Sequence, residues 1–477
     1  MNIITYFNQF LKDNFNNFLK KYFEEGNYYT KTSNFNNYFD FINDLDSFSD
    51  SFMKNIIKAY FEYIDEIFFN SSYRKNYCIS KGFYERKNYV TLFGEITFKR
   101  RYYYDKITNE RFFFTDFFLS LPKRKHFDPF VCSEIVDASA STSYSKAGYL
   151  VSNKIGKRTS NNIYISRATA RNIVMNFNYD INHTSQIRKI ERLFIMLDEK
   201  FVGSQFNNGK DHMIKAAVIF ENTKLVYKSK RKIDSIDRYQ LIGSHTEASI
   251  NNDLILKVVN YIYNHYDTDY LKEICFMGDC APWIKNFPKS CWFKFNKDIK
   301  NSFSMDGFHF SQALKQLVTN NNPHWYNALL FAVKKNNITL FKSLCSKFIE
   351  DNKDREITIT SKMQYILNNW KERQLYQNKP YLKCSMESHI SHIFADLFTS
   401  RPKSYSKKGL NKLLEIRLLK INGADLKQLY LDNVNFNPSN ETDNINIKIK
   451  TTNNKRNFID LTHENSIKRK FYGYNYI

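Results

Sequence analysis

Leu193-Phe194-Ile195-Met196-Leu197-Asp198-Glu199 and Ile274-Cys275-Phe276-Met277-Gly278-Asp279 are the stretches on which the fold turns. Five apolar residues in a row are too short for a helix of ordinary length and read as a strand buried on both faces. Asp198 follows at the carboxyl end of the first strand. The second stretch repeats the pattern: a short apolar run, a glycine, then Asp279. In open α/β sheets ligands bind beyond the carboxyl ends of the strands, so both aspartates stand where chemistry is done. A third carboxylate comes later, in Cys384-Ser385-Met386-Glu387-Ser388-His389-Ile390-Ser391-His392. Ile390, Ile393, Phe394 and Leu397 fall at helical spacing, and Glu387 lies one turn before Ile390 and Ser391. Ser391 and Ala395, at i+4 and i+8 from Glu387, are small enough to let that face approach a sheet.

Carboxylate oxygens suit Mg²⁺, a hard cation that keeps part of its water. Two such ions can activate an attacking oxygen and stabilise a leaving oxygen at one phosphate. Three carboxylates crowded together without a cation would resist ionisation. Against this stands the plainer reading that a carboxylate after a strand is a turn or helix cap, so only the three together point to a metal site. Zinc is a competing reading for Glu387, His389 and His392. The two histidines share a helix face at i and i+3, but there is no His-Glu-x-x-His and no obvious third ligand. His392 would then face a phosphate or fill the core.

Three further segments carry a family resemblance. They are Gly278-Asp279-Cys280-Ala281-Pro282-Trp283-Ile284-Lys285, Asp306-Gly307-Phe308-His309, and Glu387 to His392 followed by Ser400-Arg401-Pro402. With Phe93-Gly94-Glu95-Ile96-Thr97-Phe98-Lys99-Arg100-Arg101-Tyr102-Tyr103, they resemble the ISLre-type insertion-sequence transposases of bacteria. Many members of that group carry only the name of an uncharacterised protein family. The similarity spans about residues 90 to 420. It implies a DDE transposase with a ribonuclease-H-like core, in which Asp198, Asp279 and Glu387 are the metal-holding and catalytic carboxylates. Glu199, beside Asp198, is an alternative ligand; Asp198 is preferred because it directly ends the strand. Asp306 and His309 are implied as accessory groups beside the site, for proton transfer or DNA contact.

Composition agrees with a polyanionic partner. Lys plus Arg number 71 against 48 Asp plus Glu, a net charge of +23 over 477 residues, and the sequence pI is about 9.4. Such an excess attracts nucleic acid through counterion release. The 43 Phe and 33 Tyr follow an AT-rich codon bias shared with Asn, Lys and Ile, so they are not all stacking platforms. Seven cysteines without a Cys-x-x-Cys pair exclude a zinc ribbon and a disulfide scaffold, and fit a reducing cytoplasm. The amino terminus lacks a signal-peptide pattern, and no run is apolar enough to span a membrane.

Along the chain, residues 1–80 read as a helical arm, with a connecting loop around Thr32 to Asp50. Residues 81–127 read as a small β-rich region: Tyr89 to Phe93 and Ile96 to Phe98 around a Gly94-Glu95 turn. Lys99, Arg100 and Arg101 follow beside Tyr102 to Tyr104, a pattern suited to phosphate contact and stacking or to an ordinary solvated face. Residues 128–185 read as helices, with Ser143 to Leu150 and Ile165 to Val174 as a possible helix-turn-helix. There Ser166 is the N-cap, and Arg167 and Arg171 stand on one face that could enter a major groove.

The catalytic core is expected over 186–310 and 381–430. In it Met213 to Phe220 and Leu225 to Tyr227 form a hairpin across Glu221 to Lys224. A basic edge follows at Lys228, Lys230, Arg231 and Lys232, and a crossover helix carries Leu254, Ile255, Val258, Val259 and Ile262. Glu387 follows Asp279 by 108 positions, far more than a compact core needs, so 311–380 is expected to be an inserted helical domain. Arg401 is a candidate phosphate contact. Residues 431–477 read as a polar basic tail.

The expectation is therefore an α/β protein with a ribonuclease-H-like catalytic core and a helical insertion, preceded by helical and small β/helix-turn-helix regions. It would cut and join the DNA of an insertion sequence with two Mg²⁺ ions, Mn²⁺ substituting. It would act as a homo-oligomer on element ends and target DNA, in the cytoplasm at the nucleoid, without membrane contact. The alternatives are a nuclease that cuts without joining and a DNA-binding protein whose catalysis has decayed.

Overall fold

The computed structural model describes residues 4, 5, 8, 9, 12, 15, 16, 20, 38–121, 125–156, 163–179, 186–205, 211–227, 232–236, 239–245, 252–296, 298–318, 323–377, 397–399 and 404–436. It is a mixed α/β structure divided into two compact units, residues 1–180 with 425–477, and residues 181–424.

The first unit begins with the long helix α1, Tyr38–Asn70, followed by α2, Ser72–Tyr77. Part of the stretch expected as a loop is thus the start of α1. The reason is the spacing of Phe41, Leu45, Phe48 and Phe52, which carries a helical stripe through a polar composition. Three antiparallel strands follow: β1 (Cys78–Thr91), β2 (Gly94–Asp105) and β3 (Arg111–Phe113). The β1–β2 turn is Leu92-Phe93, not Gly94-Glu95, because Gly94 already pairs with Thr91. Ile57 and Phe61 of α1 pack against Tyr89, Ile96 and Phe98. One turn on, Ile64 and Phe68 pack against Cys78, Tyr103, Phe112 and Phe114. Each such side chain removed from water contributes roughly 1.5–3 kcal/mol.

Next come α3 (Phe114–Phe118), α4 (Pro129–Ser139), α5 (Tyr144–Gly156) and α6 (Arg167–Met175). Val90, Val131, Ile135, Val151, Ile155, Ile165 and Ala170 make the shared core of α4, α5 and α6. Ser166 caps α6 by accepting from Thr169 N, as its position in the sequence indicates. The final described helix, α15 (Leu426–Phe436), packs against α4 in this unit. Lys427 Nζ lies 2.7 Å from Glu134. Residues 426–436, split in the sequence reading between core and tail, are thus one helix whose buried Leu426 seats it.

The second unit is built on a five-stranded sheet in the order β10-β9-β4-β5-β8. Its strands are β4 (Arg192–Val202), β5 (His212–Phe220), β8 (Tyr239–His245), β9 (Glu273–Gly278) and β10 (Lys300–Met305). β4 pairs antiparallel with β5, and β5 antiparallel with β8. β4 pairs parallel with β9, and β9 parallel with β10. The hairpin expected between Met213–Phe220 and Leu225–Tyr227 does not form. Instead β6 (Asn222–Tyr227) pairs with β7 (Lys232–Ile236) in a separate two-stranded ribbon, and β8 returns to β5.

The crossover helix α7, Asn252–His265, joins β8 to β9 and buries Leu254, Ile255, Val258, Val259 and Ile262. They meet Leu193, Ile195, Leu197, Ile274, Phe276 and the short helix α8, Pro282–Asn286, in one core. The expected insertion is helical: α9 (Gly307–Val318), α10 (Pro323–Lys334), α11 (Ile338–Glu350), α12 (Glu356–Asn368) and α13 (Trp370–Gln377). It has its own core around Leu314, Leu317, Leu329, Phe341, Phe348, Ile359 and Ile366. Helix α14, Lys407–Ile421, lies beside β8. No described helix is long and apolar enough to cross a membrane.

Candidate active site

The sheet itself aligns Asp198 and Asp279. In the parallel β4–β9 ladder Ile195 pairs with Phe276 and Met196 with Met277. Asp198 stands two residues further along β4, and Asp279 two residues on from Met277, just past the end of β9. Neighbouring strands lie about 4.8 Å apart, and residues two apart share a face. Ile195, Leu197 and Phe276 face the α7 core, so Asp198, inside β4, lies on the opposite face in line with Met196, and Asp279 follows the end of β9 at Gly278. Asp198 does not end its strand: β4 continues to Val202, held by β5 through the pairs Lys200–Ile214 and Val202–His212. What ends at this level is β9, so β4 loses its second neighbour next to Asp198.

Local hydrogen bonds orient both carboxylates. Asp198 Oδ1 accepts from Glu199 N at 2.7 Å. Asp279 Oδ1 accepts from Ala281 N at 2.9 Å, closing a turn in which Cys280 adopts φ +71°. Burial pushes the Cys280 thiol up to about 12, with the nearby Glu372, Asp279 and Asp306 charges adding to the shift and Lys285 opposing it. A thiol held protonated in this way is no nucleophile.

Asp306 extends the row. Met305 pairs with Gly278, and Asp306 N donates to Gly278 O at 2.8 Å, which brings Asp306 level with Asp279. Its Oδ1 accepts from Phe308 N at 3.0 Å, and His309 Nε2 is 3.8 Å from its Oδ2. Asp198, Asp279 and Asp306 therefore head three adjacent strands. Glu387 and His392 lie outside the described residues. Among the described residues no three His, Cys, Asp or Glu side chains form a group able to hold a metal ion.

Glu199 faces the other way. Its carboxylate accepts from Trp283 Nε1 and stands opposite Lys215 in the β4–β5 ladder. Lys215 is only 1% exposed, with its ammonium 4.9 Å from the Trp283 ring centre, within cation–π range. Burial, with the charge of Asp279 adding, raises the Glu199 carboxyl above the usual range against the pull of Trp283 and Lys215. Lys215 and Trp283 escaped the sequence reading. The available signal was a single charge inside the otherwise apolar run Ile214–Phe220.

Lys215 yields a pH prediction. Burial pushes its ammonium down to about 8, Glu199 opposing the shift. In an unfolded chain lysine titrates near about 10.4. Between those values the unfolded state binds more protons, so this group makes stability rise with pH across that window. The stability advantage of Lys215→Met over the natural chain is expected to shrink by about 2–3 kcal/mol from about pH 7.5 to about pH 10 in urea unfolding. A constant difference would show that Lys215 titrates as an ordinary surface lysine.

The basic residues expected on DNA separate into three groups. Lys99, Arg167 and Arg171 are exposed, the last two on α6 beside its buried Ala170 and Val174. Arg100 and Arg101 are buried ion-pair partners, a correction to the expectation of phosphate contact. Arg100 Nη1 lies 2.5 Å from Asp116, and Arg101 bonds Asp65 at 2.8 Å and Glu66 at 2.7 Å. Adjacent strand residues point to opposite faces, and β2 is covered at both positions. Lys230, Arg231 and Arg401 lie outside the described residues, and Lys232 opens β7 opposite Tyr227.

Arg101→Met is expected to lower the stability of the first unit by about 2 kcal/mol. Asp65 loses a charge partner but keeps the Tyr103 hydroxyl and the Arg101 backbone N–H. Thermal unfolding measures the loss. The salt dependence of DNA binding is expected to stay unchanged, whereas removing a phosphate contact would lower its slope by about 0.9.

Comparison with known families matches residues 32–433 to the group described as Uncharacterised protein family (UPF0236). The chain belongs to that family. UPF0236 relatives from Caldanaerobacter subterraneus subsp. tengcongensis are 24% identical over 395 residues, covering 80% of this chain and 77% or 73% of their own length. Another UPF0236 protein of the same organism, equally 24% identical and covered over 77% of its length, has a name joining eleven locus designations.

Proposed function

We propose that this UPF0236 chain is a DDE-type transposase that cuts and joins DNA with divalent metal ions. The observation that carries the reading is the parallel β4–β9 pairing, whose last pair, Met196–Met277, lies two residues before both Asp198 and Asp279. The sheet order supports it. Taken in chain order, the first three strands run antiparallel in sequence, the fourth is parallel to the first, and the fifth flanks the fourth. We read this order as supporting a ribonuclease-H-like core, with the helices α9 to α13 following the fifth strand. A net charge of +23 suits DNA. The eleven loci named for one relative are what a mobile element leaves in a genome.

The residues present fit Mg²⁺: two hard-oxygen carboxylates, each already oriented by a backbone N–H, with Glu387 as the third donor implied by resemblance. When bound, the ions polarise the scissile phosphate and favour ionisation of the attacking oxygen. Asp198 and Asp279 hold that charge at fixed spacing, because their strands cannot slide without breaking the ladder. Trp283 and Lys215 engage the Glu199 carboxylate, which still feels the charge of Asp279. Exposed Arg167 and Arg171 of α6 lie against DNA phosphates or bases.

The test is incubation of the full chain with DNA bearing the flanking element ends, with Mg²⁺ or Mn²⁺. Cleaved ends and strand-transfer products are both expected. Cleavage without joining selects the nuclease. Binding without cleavage, by folded and oligomeric protein, selects the decayed DNA-binding protein.

Arg167→Ala and Arg171→Ala are each expected to lower the salt slope of duplex binding by about 0.9 if they touch phosphate. If they read a base they cost about 1–3 kcal/mol at one sequence position. Fluorescence anisotropy over a salt series separates the two roles, and no effect of either substitution would remove α6 from the interface.

A further inference from the structure

A cleft of about 410 Å³ opens beside Asp279, between α8 and α12. Tyr365 in its wall donates its hydroxyl to Asp279 O at 2.8 Å, and Cys280, the next residue, lies against it. Lys285, Asn286, Lys289, Asn368 and Asn369 complete its polar lining, and no carboxylate lines it. The donors are held in place. Asn369, 5% exposed, accepts from Lys285 Nζ at 3.0 Å and donates to Tyr365 O at 2.8 Å. Glu372, also 3.0 Å from Lys285 Nζ, steadies the same ammonium. Asn286 Oδ1 accepts from Lys289 Nζ at 3.0 Å, and Asn368 Oδ1 from Gln364 Nε2 at 2.6 Å. With those oxygens engaged, the Asn286 and Asn368 amides present N–H donors.

We infer that this cleft is a nucleotide subsite, taking one phosphodiester unit of the DNA strand that runs past Asp279. Two ammonium groups and two amide donors answer a phosphate's several oxygens and lack of hydrogens. The volume lies in the range of small-ligand sites, about 300–1,000 Å³. That volume is of the order of one nucleotide, and the strand there is taken as single-stranded. The hydrogen bond from Tyr365 ties the cleft to the turn that carries the Asp279 carboxylate. A phosphate held there fixes the strand's register at the carboxylates. This inference rests on the proposed DNA substrate and does not require that the chain cleave it.

The test uses the full chain and a fluorescent single-stranded oligonucleotide, titrated over a salt series. The double variant Lys285→Ala/Lys289→Ala is expected to bind about tenfold more weakly, with a salt slope lower by up to about 1.4, two single-strand phosphate contacts' worth. Lys342→Ala, an exposed lysine of α11 outside the cleft, is expected to change neither. Asn368→Asp places a negative charge at an exposed edge of the cleft and is expected to weaken binding without lowering the melting temperature. An unchanged slope in the double variant overturns the inference, as does an equal loss in Lys342→Ala. Competition by inorganic phosphate, at matched ionic strength, as effective as that by a dinucleotide also overturns it, since the site would then be one for free phosphate. If no cleavage is seen but the slope difference persists, the subsite stands and the catalytic reading falls.

Discussion

Replacing Asp279 by Asn is expected to lower metal-dependent DNA cleavage at least about a thousandfold, about 4 kcal/mol of transition-state stabilisation. The substitution keeps the shape of the side chain and the oxygen that accepts from Ala281 N at 2.9 Å, so the turn at Cys280 is preserved. What disappears is the negative charge that holds the cation. Asp198→Asn is expected to act alike, because it too keeps its acceptor for Glu199 N. DNA binding by both variants without metal is expected to match or slightly exceed that of the natural chain, since the carboxylates repel phosphate when no metal is present. Glu199→Gln is the informative contrast. Its carboxylate is engaged by Trp283 on the other face of the sheet, so cleavage is expected to fall by less than about tenfold. Quantitative cleavage of end-bearing DNA, alongside anisotropy for binding, reads all three. Full activity of Asp279→Asn would sink the metal-carboxylate mechanism, and a larger loss in Glu199→Gln than in Asp198→Asn would transfer the ligand role to Glu199.

The strands that carry this site were legible because they are buried on both faces. Leu193 to Leu197 and Ile274 to Met277 are apolar without interruption, and only a central strand requires that. Helix α7 was legible from its 3.6 periodicity and α6 from its Ser166 cap. Asp306 drew notice for its His309 neighbour, but its place level with Asp279 depends on β10 pairing, which no local pattern encodes. The same limit produced the false hairpin. Glu221 to Lys224 is a good turn on local chemistry, yet β5 finds its partner in β8, beyond the β6–β7 ribbon. Arg100 and Arg101 looked like a phosphate-binding pair because a sequence cannot report that Asp65 and Asp116 approach from opposite faces. Lys215 is the converse case: a charge inside a core strand violates the local pattern, and the structure uses it beside the site.

Gly278 links fold and site most tightly, and it carries the second large prediction. A Cβ at this position would lie 2.7 Å from Ile284 Cγ2 and 2.9 Å from Leu197 O. The first contact is with a side chain that can turn. The second is with the backbone of the neighbouring strand, which cannot yield without opening the β4–β9 ladder. Gly278→Ala is therefore expected to cost about 3 kcal/mol and Gly278→Val about 4 kcal/mol or more. Pairing Gly278→Ala with Ile284→Val isolates the contribution of the Ile284 Cδ1 contact. Ile284→Val keeps Cγ2 and loses only Cδ1, which lies 3.2 Å from the added Cβ, so it is expected to recover less than about 1 kcal/mol in a double-mutant cycle. The remaining penalty is shared by Ile284 Cγ2, which that variant retains, and Leu197 O. Because Asp198 follows Leu197 and Asp279 follows Gly278, any widening there moves the two carboxylates apart. Gly278→Ala, at temperatures where it remains folded, is accordingly expected to lose at least about tenfold in cleavage, with oligonucleotide binding retained. Urea unfolding and cleavage kinetics on the same preparations measure both effects. A stable Gly278→Ala protein with full cleavage activity would show that β4 and β9 can part without cost to the site, and that the aspartate pair does not depend on their close approach.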